Sequence, residues 1–481
     1  MSSDAVGLHL QIDTRIRIDG RQCPAEIFVA LQTWALEQFN VDNPQYWAAR
    51  NHRRPCKHLP QRLELAVVKD NQLELPRGAN VELKKWLRQN APDLAIVLDD
   101  LRASPEMPAL KLNAVLRPYQ HDAVAAAIKM RDGVIVAPTG SGKTLMAMGI
   151  IAQLGLRTLV LVHTKTLLEQ TCHVIEQTLG VKPGKFGGGE GFLADVTVAT
   201  VQTLSRQPPD ALRDHFGLVL LDEAHHCPAG TFTEIIQRFT ARWRIGLTAT
   251  PKRADGLQHL MHSALGPQIY RVHPAAMVGI GSLCTAQVQP IETDFAGGRL
   301  TDHTAMMSRI CFDVARNAQL LSVITATYGK RALVLSERVE HCVELTERLQ
   351  HAGLQAYLLV GRMTLEQRQR ALAAFLSQPR ALLISTTSLV GEGFDCPDLD
   401  TLYLVAPSGN LTRTTQALGR VLRPFPGKPA PRVYDFVDVQ TPALARNFDK
   451  RVGVYRSHSA HIAQAWLVDK ALTSHQGNVA V

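Results

Sequence analysis

Two stretches of this chain carry residue types that can handle a phosphoanhydride. The first is Ala137-Pro138-Thr139-Gly140-Ser141-Gly142-Lys143-Thr144, which follows the apolar run Val134-Ile135-Val136 and precedes Leu145-Met146-Ala147-Met148. Strand, glycine-rich loop and helix in that order make a phosphate cradle. Gly140 and Gly142 let the backbone N–H groups of the loop that Pro138 opens, those of Thr139 and Ser141 among them, turn onto the β- and γ-phosphates, and the helix N-terminus adds a positive dipole. Lys143 would neutralise phosphate charge, and the Thr144 hydroxyl would ligate Mg²⁺. The second stretch, Asp222-Glu223-Ala224-His225, ends the apolar run Leu218-Val219-Leu220-Leu221. Asp222 at a strand's C-terminal edge can hold Mg²⁺, while Glu223 can orient and deprotonate the attacking water. His225 has no third metal ligand at suitable spacing and is expected to hydrogen-bond. The chemistry implied is hydrolysis of ATP, with Mg²⁺ as cofactor.

A third stretch, Gln416-Ala417-Leu418-Gly419-Arg420-Val421-Leu422-Arg423, supplies arginines far downstream. It reads as the start of a helix, where Arg420 and Arg423, three apart, share a face. Guanidiniums there would stabilise charge on the transferring phosphoryl group, an effect worth roughly 10³–10⁵ in rate. Catalytic groups divided between distant parts of one chain predict an ATP-driven motor.

These residues need a scaffold of strands and helices. From about Lys111 short apolar strands alternate with helices: 134–136, Thr158–Val162, 196–199, 218–221 and 245–247. Such alternation predicts a parallel sheet covered on both faces. The rhythm fades over 283–312, read as a connector, and returns at 332–335, 356–360, 382–385, 402–405 and 433–436. The fold class expected is α/β: two parallel-sheet domains in tandem, 111–282 and 313–440, which the family resemblance of their motifs implies to be RecA-like. A small N-terminal α+β domain (1–110) and a short C-terminal helical segment (441–481) flank them. At roughly 100–200 residues per domain, 481 residues suit that division.

The chain carries a net charge of +9, which favours a polyanionic partner. In the N-terminal domain no acidic residue occurs from Asn43 to Leu63, and Tyr46, Trp47, Arg50, Arg53, Arg54 and Lys57 fall inside that window. Cations interleaved with aromatics suit phosphate contacts with base stacking; a solvated basic face over a core Trp47 fits the same residues. The eight cysteines include no C-x-x-C pair, so a zinc ribbon or iron–sulfur cluster is not expected. Their scatter, with no leader-like N-terminus and no apolar run of about 18 residues, predicts a cytoplasmic protein without a membrane span.

In this order the motifs resemble superfamily 2 helicases of the DEAH/DExH kind over about residues 111–440. Leu116-Arg117-Pro118-Tyr119-Gln120 resembles the adenine-reading motif, so Arg117 and Gln120 are implied nucleotide contacts. Thr164-Lys165 and Ala199-Thr200-Val201-Gln202 match two motifs that touch a nucleic-acid backbone, implying that role for Thr164, Lys165 and Thr200. Leu247-Thr248-Ala249-Thr250-Pro251 matches the motif that links hydrolysis to strand binding, implying coupling roles for Thr248 and Thr250, shared with His225 and Gln416. Thr386-Thr387-Ser388-Leu389-Val390-Gly391-Glu392-Gly393-Phe394-Asp395 matches a motif whose Thr386 and Thr387 would face nucleic acid and whose Gly393 and Asp395 would face nucleotide. The chain looks most like the XPB/UvrB-like and type I/III restriction-motor branch, and Arg316-Asn317 resembles the opening of its second motor domain. Where XPB-type proteins carry Arg-Glu-Asp, this chain has Arg253-Ala254-Asp255.

The resemblance implies an ATP-dependent DNA helicase or double-strand translocase acting on single-stranded, duplex or forked DNA, with repair or defence proteins as further partners. An RNA helicase and a nucleotide-gated interaction module of a larger complex are the alternatives. A nuclease ranks below both, since no metal–carboxylate cluster stands outside the motor motifs.

Overall fold

The computed structural model describes residues 7–51, 55–187, 190–206, 208, 210, 212–222, 229–249, 256–298, 303–390, 396–406, 409–458 and 460–463. The chain divides into two compact units: Met1–Ala137 with Gly142–Arg271, and Val272–Val481 with the loop tip Pro138–Ser141.

The first unit contains two larger sheets. The N-terminal sheet has the order Val67–Lys69, Gln72–Pro76, Arg15–Asp19, Gly7–Ile12, Ala95–Asp100. Its neighbours are antiparallel except the last pair. Period-two alternation turns Leu8, Leu10, Ile12, Ile16, Ile18, Leu73 and Leu75 to one buried face. Phe28, Leu31 and Ala35 of the helix Ala25–Phe39, with Leu83 and Leu87 of the helix Asn80–Asn90, complete that core. The first hairpin turns at Asp13-Thr14. The second strand ends in a short 3₁₀ segment, Gly20–Gln22, capped by the Asp19 carboxylate.

The N-terminal domain, expected to stand apart, belongs to the same compact unit as the sheet that follows it. Arg77 joins them. Buried at 2% exposure, it donates to both carboxylate oxygens of Asp132 at 2.8 and 3.1 Å and to the Arg242 carbonyl at 2.7 Å. It also donates to the Ala241 carbonyl. Arg244, equally buried, donates to the carbonyls of Phe239 and Thr14. Arg213 reaches Asp13 at 2.9 Å, and Asp100 holds Arg102 at 2.6 Å and Arg242 at 3.2 Å.

The second sheet of this unit has eight strands in the order Glu190–Phe192, Gly184–Gly187, Val196–Thr200, Thr158–Val162, Leu218–Asp222, Trp243–Thr248, Asp132–Val136, Gln268–Arg271. All neighbours are parallel except the first pair. The central strands read as continuous apolar runs because both faces are covered, as parallel sheets require.

Among the described residues the sheet of the second unit has seven strands, all parallel: Ala356–Leu359, Ala381–Thr386, Arg331–Ser336, Thr401–Leu404, Arg432–Val437, Gln287–Glu292, His461–Ile462. The strand Gln287–Glu292 lies inside the stretch expected to be a connector, which also contains the helix His303–Phe312. The C-terminal segment supplies the helix Pro442–Ser457 and then the strand His461–Ile462. No described helix is long and apolar enough to cross a membrane.

Candidate active site

Three strands of the eight-stranded sheet deliver the site. Asp132–Val136 runs into the glycine-rich loop, and the helix Lys143–Leu154 starts directly after it. The loop is anchored at its start, where Ala137 N–H donates to the Thr248 carbonyl at 2.8 Å, and it turns on itself through Ser141 N–H to the Pro138 carbonyl at 3.1 Å. Gly140 and Gly142 take φ of +84° and +78°, a left-handed conformation that suits glycine. A Cβ on Gly142 would stand 2.4 Å from the Gln120 side-chain nitrogen, so a side chain there would displace that amide. The Thr139 hydroxyl is buried without a hydrogen-bond partner. Lys143 is buried, its ammonium 3.4 Å from the Ala137 carbonyl, and Thr144 follows half-buried in the helix's first turn. Turned glycines, an unpartnered buried hydroxyl, an ammonium and a helix N-terminus fit a phosphate group.

Asp222 is the last residue of its strand, half-buried and opposite Leu247, which is itself opposite Ile135. With strands about 4.8 Å apart, Asp222 stands about 10 Å across the sheet edge from the loop's strand. Thr248, fully buried, ends the strand between them, so Asp222, Thr248 and the strand that leads into the loop share one edge. Glu223, His225 and Thr250 lie outside the described residues.

Gln120 is 2% exposed, and its side-chain oxygen accepts the Arg117 N–H at 2.8 Å. It therefore caps the helix Pro118–Met130 while its nitrogen meets the loop. Arg117 donates to the Tyr119 hydroxyl at 3.3 Å.

The implied nucleic-acid residues of this unit also gather at strand ends. Thr200 ends a strand opposite Val162, and Thr164 follows that neighbouring strand by two residues. Both hydroxyls are engaged as helix caps: Thr164 accepts from Leu167 N–H at 3.2 Å and Thr200 from Thr203 N–H at 3.3 Å. Lys165 is exposed. On the N-terminal domain, Arg50 is exposed on the helix Pro44–Asn51, its guanidinium 5.3 Å from the Trp47 ring, which meets Tyr46 edge-on. Trp47 is half-buried and Lys57 exposed, while Arg53 and Arg54 lie outside the described residues.

In the second unit Thr386 ends its strand and Thr387 begins the next short helix, and both are buried. Gly393 and Asp395 lie outside the described residues. The helix expected to start near Gln416 spans Leu411–Val421, begun by Asn410, whose side chain accepts the Arg413 N–H. Gln416 is thus buried mid-helix, Arg420 sits in its last turn and Arg423 just beyond. The cap Asn410 sets an earlier start than the apolar and glycine pattern indicates. Arg316, expected at the opening of this unit, is buried against Asp438 at 2.6 Å, and the Asn317 side-chain oxygen accepts from His341 Nε2 at 3.1 Å.

Sequence reasoning missed Arg77, Asp132, Arg244 and Lys428. An arginine inside the apolar strand Trp243–Thr248 and an aspartate opening Asp132–Val136 were the available signals. Lys428 had none beyond its proline-rich loop.

Comparison with known proteins gives two family models. Residues 113–253 match "Type III restriction enzyme, res subunit", and residues 315–424 match "Helicase conserved C-terminal domain". A DNA 3'-5' translocase XPB2 of Sulfurisphaera tokodaii is 29% identical over 66% of this chain and 80% of its own length. A DNA 3'-5' helicase XPB of Kineococcus radiotolerans is 29% identical over 68% of this chain and 60% of its own. Among solved structures, a fragment of a putative HsdR subunit of a type I restriction enzyme from Vibrio vulnificus aligns with a TM-score of 0.53. It is 20% identical and covers 68% of this chain and 64% of that one.

Proposed function

The chain belongs to superfamily 2 helicases of the XPB and type III restriction-subunit type, which are ATP-hydrolysing enzymes, and from that premise we propose that it is an ATP-dependent DNA helicase or double-strand DNA translocase. The relatives named as XPB proteins support DNA as the track. The observation that carries the reading is the shared sheet edge: glycine loop, Asp222 and Thr248 at the C-terminal ends of three strands in one parallel sheet.

In this reading the loop N–H groups and Lys143 bind the β- and γ-phosphates, and Arg117 and Gln120 meet the base side of the nucleotide. Thr144 and Asp222 are the residues that would hold Mg²⁺, which supplies charge neutralisation across the phosphate oxygens. Glu223 takes the proton of the attacking water. Arg420 and Arg423 stabilise charge that develops on the transferring phosphoryl group, acting most strongly in the transition state. Gly393 and Asp395 complete the nucleotide contacts. Thr248, through its carbonyl on Ala137, ties the loop to the next motif, and with Thr250, His225 and Gln416 it couples hydrolysis to the track. Lys165 offers an exposed cation beside Thr164 and Thr200, and Thr386 and Thr387 provide the matching strand end in the second unit. Arg50, Arg53, Arg54 and Lys57 extend the DNA contact onto the N-terminal domain. The work would be done in the cytoplasm, in repair, restriction or defence.

The test is ATP turnover with single-stranded, duplex and forked DNA beside RNA of matched length. Stimulation by DNA well above RNA is expected, and Lys143→Ala should remove it. Equal or greater stimulation by RNA would replace the DNA reading with an RNA one.

A further inference from the structure

Beneath the arginine-bearing helix a short loop folds back on its end. The last carbonyls of a helix have no partner within it. Here the carbonyl of the last helical residue and the two that follow it are taken. The Leu422 carbonyl accepts from Cys284 N–H at 2.7 Å. The Val421 and Arg423 carbonyls both accept from the Lys428 ammonium, each at 2.6 Å. The same ammonium donates to the Pro397 carbonyl at 3.2 Å. A lysine carries three N–H donors and no acceptor, so one side chain satisfies three carbonyls from two segments. The loop is shaped for this: Lys428 N–H donates to the Phe425 carbonyl at 3.1 Å, and Gly427 takes φ of +72° between the rigid Pro426 and the inward lysine. A cation at a helix C-terminus is also favoured by the helix dipole.

We propose that Lys428 is a positioning residue for ATP turnover. It fixes the Arg423 backbone and the end of the Arg420 helix against the segment at Pro397, which follows the stretch carrying Gly393 and Asp395. The inference rests on the arginine reading above. Its consequence is geometric: a misplacement of about 1 Å remote from the chemistry can cost about 100-fold in rate.

Lys428 is also sensitive to pH. Burial lowers its ammonium to about 8, against the raising influence of Cys284, Asp400, Cys396 and Asp398. Asp398 is itself paired with Arg331 at 3.0 Å. A neutral amine has two N–H donors for three carbonyls and turns a lone pair on the third, so the clamp holds below about pH 8 and loosens above it.

The experiment measures kcat and KM for ATP across about pH 7 to 9.5. The variants are Lys428→Met and Lys428→Arg, with Arg420→Ala and Arg423→Ala as controls. Lys428→Met should lower kcat about 10- to 100-fold while KM moves little. The parent's kcat should fall through about pH 8, and that fall should vanish in Lys428→Arg, whose guanidinium stays charged. A Lys428→Arg profile with the parent's alkaline fall overturns the inference, even where Lys428→Met fails to fold. Unchanged kcat in Lys428→Met beside inactive arginine variants overturns it alone. Normal turnover in both arginine variants sinks the arginine reading and this inference with it.

Discussion

Replacing Arg77 should unfold the first unit far more easily than replacing any exposed arginine. Its guanidinium is 1% exposed and Asp132 is 7% exposed, so neither charge has water to fall back on. Removing one partner of a buried pair costs about 3–5 kcal/mol, because the other charge stays buried and uncompensated. In Arg77→Ala the nearest remaining cation to Asp132 is Arg102 at 3.8 Å, which already serves Asp100. The carbonyls of Ala241 and Arg242 also lose their donor. At about 2–4 °C per kcal/mol for a domain of this size, the loss in Tm is about 6–20 °C. Thermal or urea melts of Arg77→Ala, Asp132→Ala and the double variant make a complete cycle. The double variant should fall short of the summed single losses by about 1–3 kcal/mol. Strict additivity, or an Arg77→Ala loss no larger than that of Arg50→Ala, refutes the buried clamp and with it the joining of the N-terminal domain to the motor sheet.

Lys143→Ala should abolish hydrolysis, and Glu223→Gln should retain ATP binding while turnover falls about 10²- to 10⁴-fold; near-normal turnover in the latter removes Glu223 as the base. Replacing Arg50, Arg53, Arg54 and Lys57 together by alanine should weaken DNA binding and flatten its log–log salt slope by about 0.9 per lost duplex phosphate contact. DNA-free ATP turnover should not change; an unaltered slope means a solvated face. Burial, then Arg316, pushes His341 down to about 3, and its ring is hydrogen-bonded to Ser336 and Asn317. The unfolded chain binds this proton near pH 6.5, so stability is full above that pH. It is lost at up to about 1.4 kcal/mol per pH unit as pH falls toward 3. Acid titration of stability in His341→Asn should show a shallower decline over that window.

How much of this was legible depended on burial. The strand Thr158–Val162 and the run ending at Asp222 stood out because strands covered on both faces are apolar throughout. The glycine loop was legible because its function demands glycine at fixed places. Gln287–Glu292 was hidden. Its polar Gln287 and Glu292 and a central Pro290 read as loop, yet the strand pairs along its length only with Arg432–Val437. On the other side only Gln287 and Val288 pair among the described residues, so Pro290 stands where that edge has no ladder partner. The joining of the N-terminal domain was hidden for a different reason. It rests on single arginines and aspartates far apart in sequence, whose types alone predict exposure. The arginine helix was visible, but its start was placed too late, because Asn410 caps it and Gln416 falls mid-helix.

In the proposed function, ATP hydrolysis moves this protein along DNA. ATP turnover at saturating concentrations of duplex and single-stranded DNA, measured as a function of DNA length, tests it most directly. A moving motor spends longer between dissociations on a longer track, so turnover should rise with length and then plateau, and Glu223→Gln should show neither rise nor plateau. Turnover that DNA stimulates equally at every length that fills the binding site would contradict movement and leave a stationary, DNA-gated ATPase.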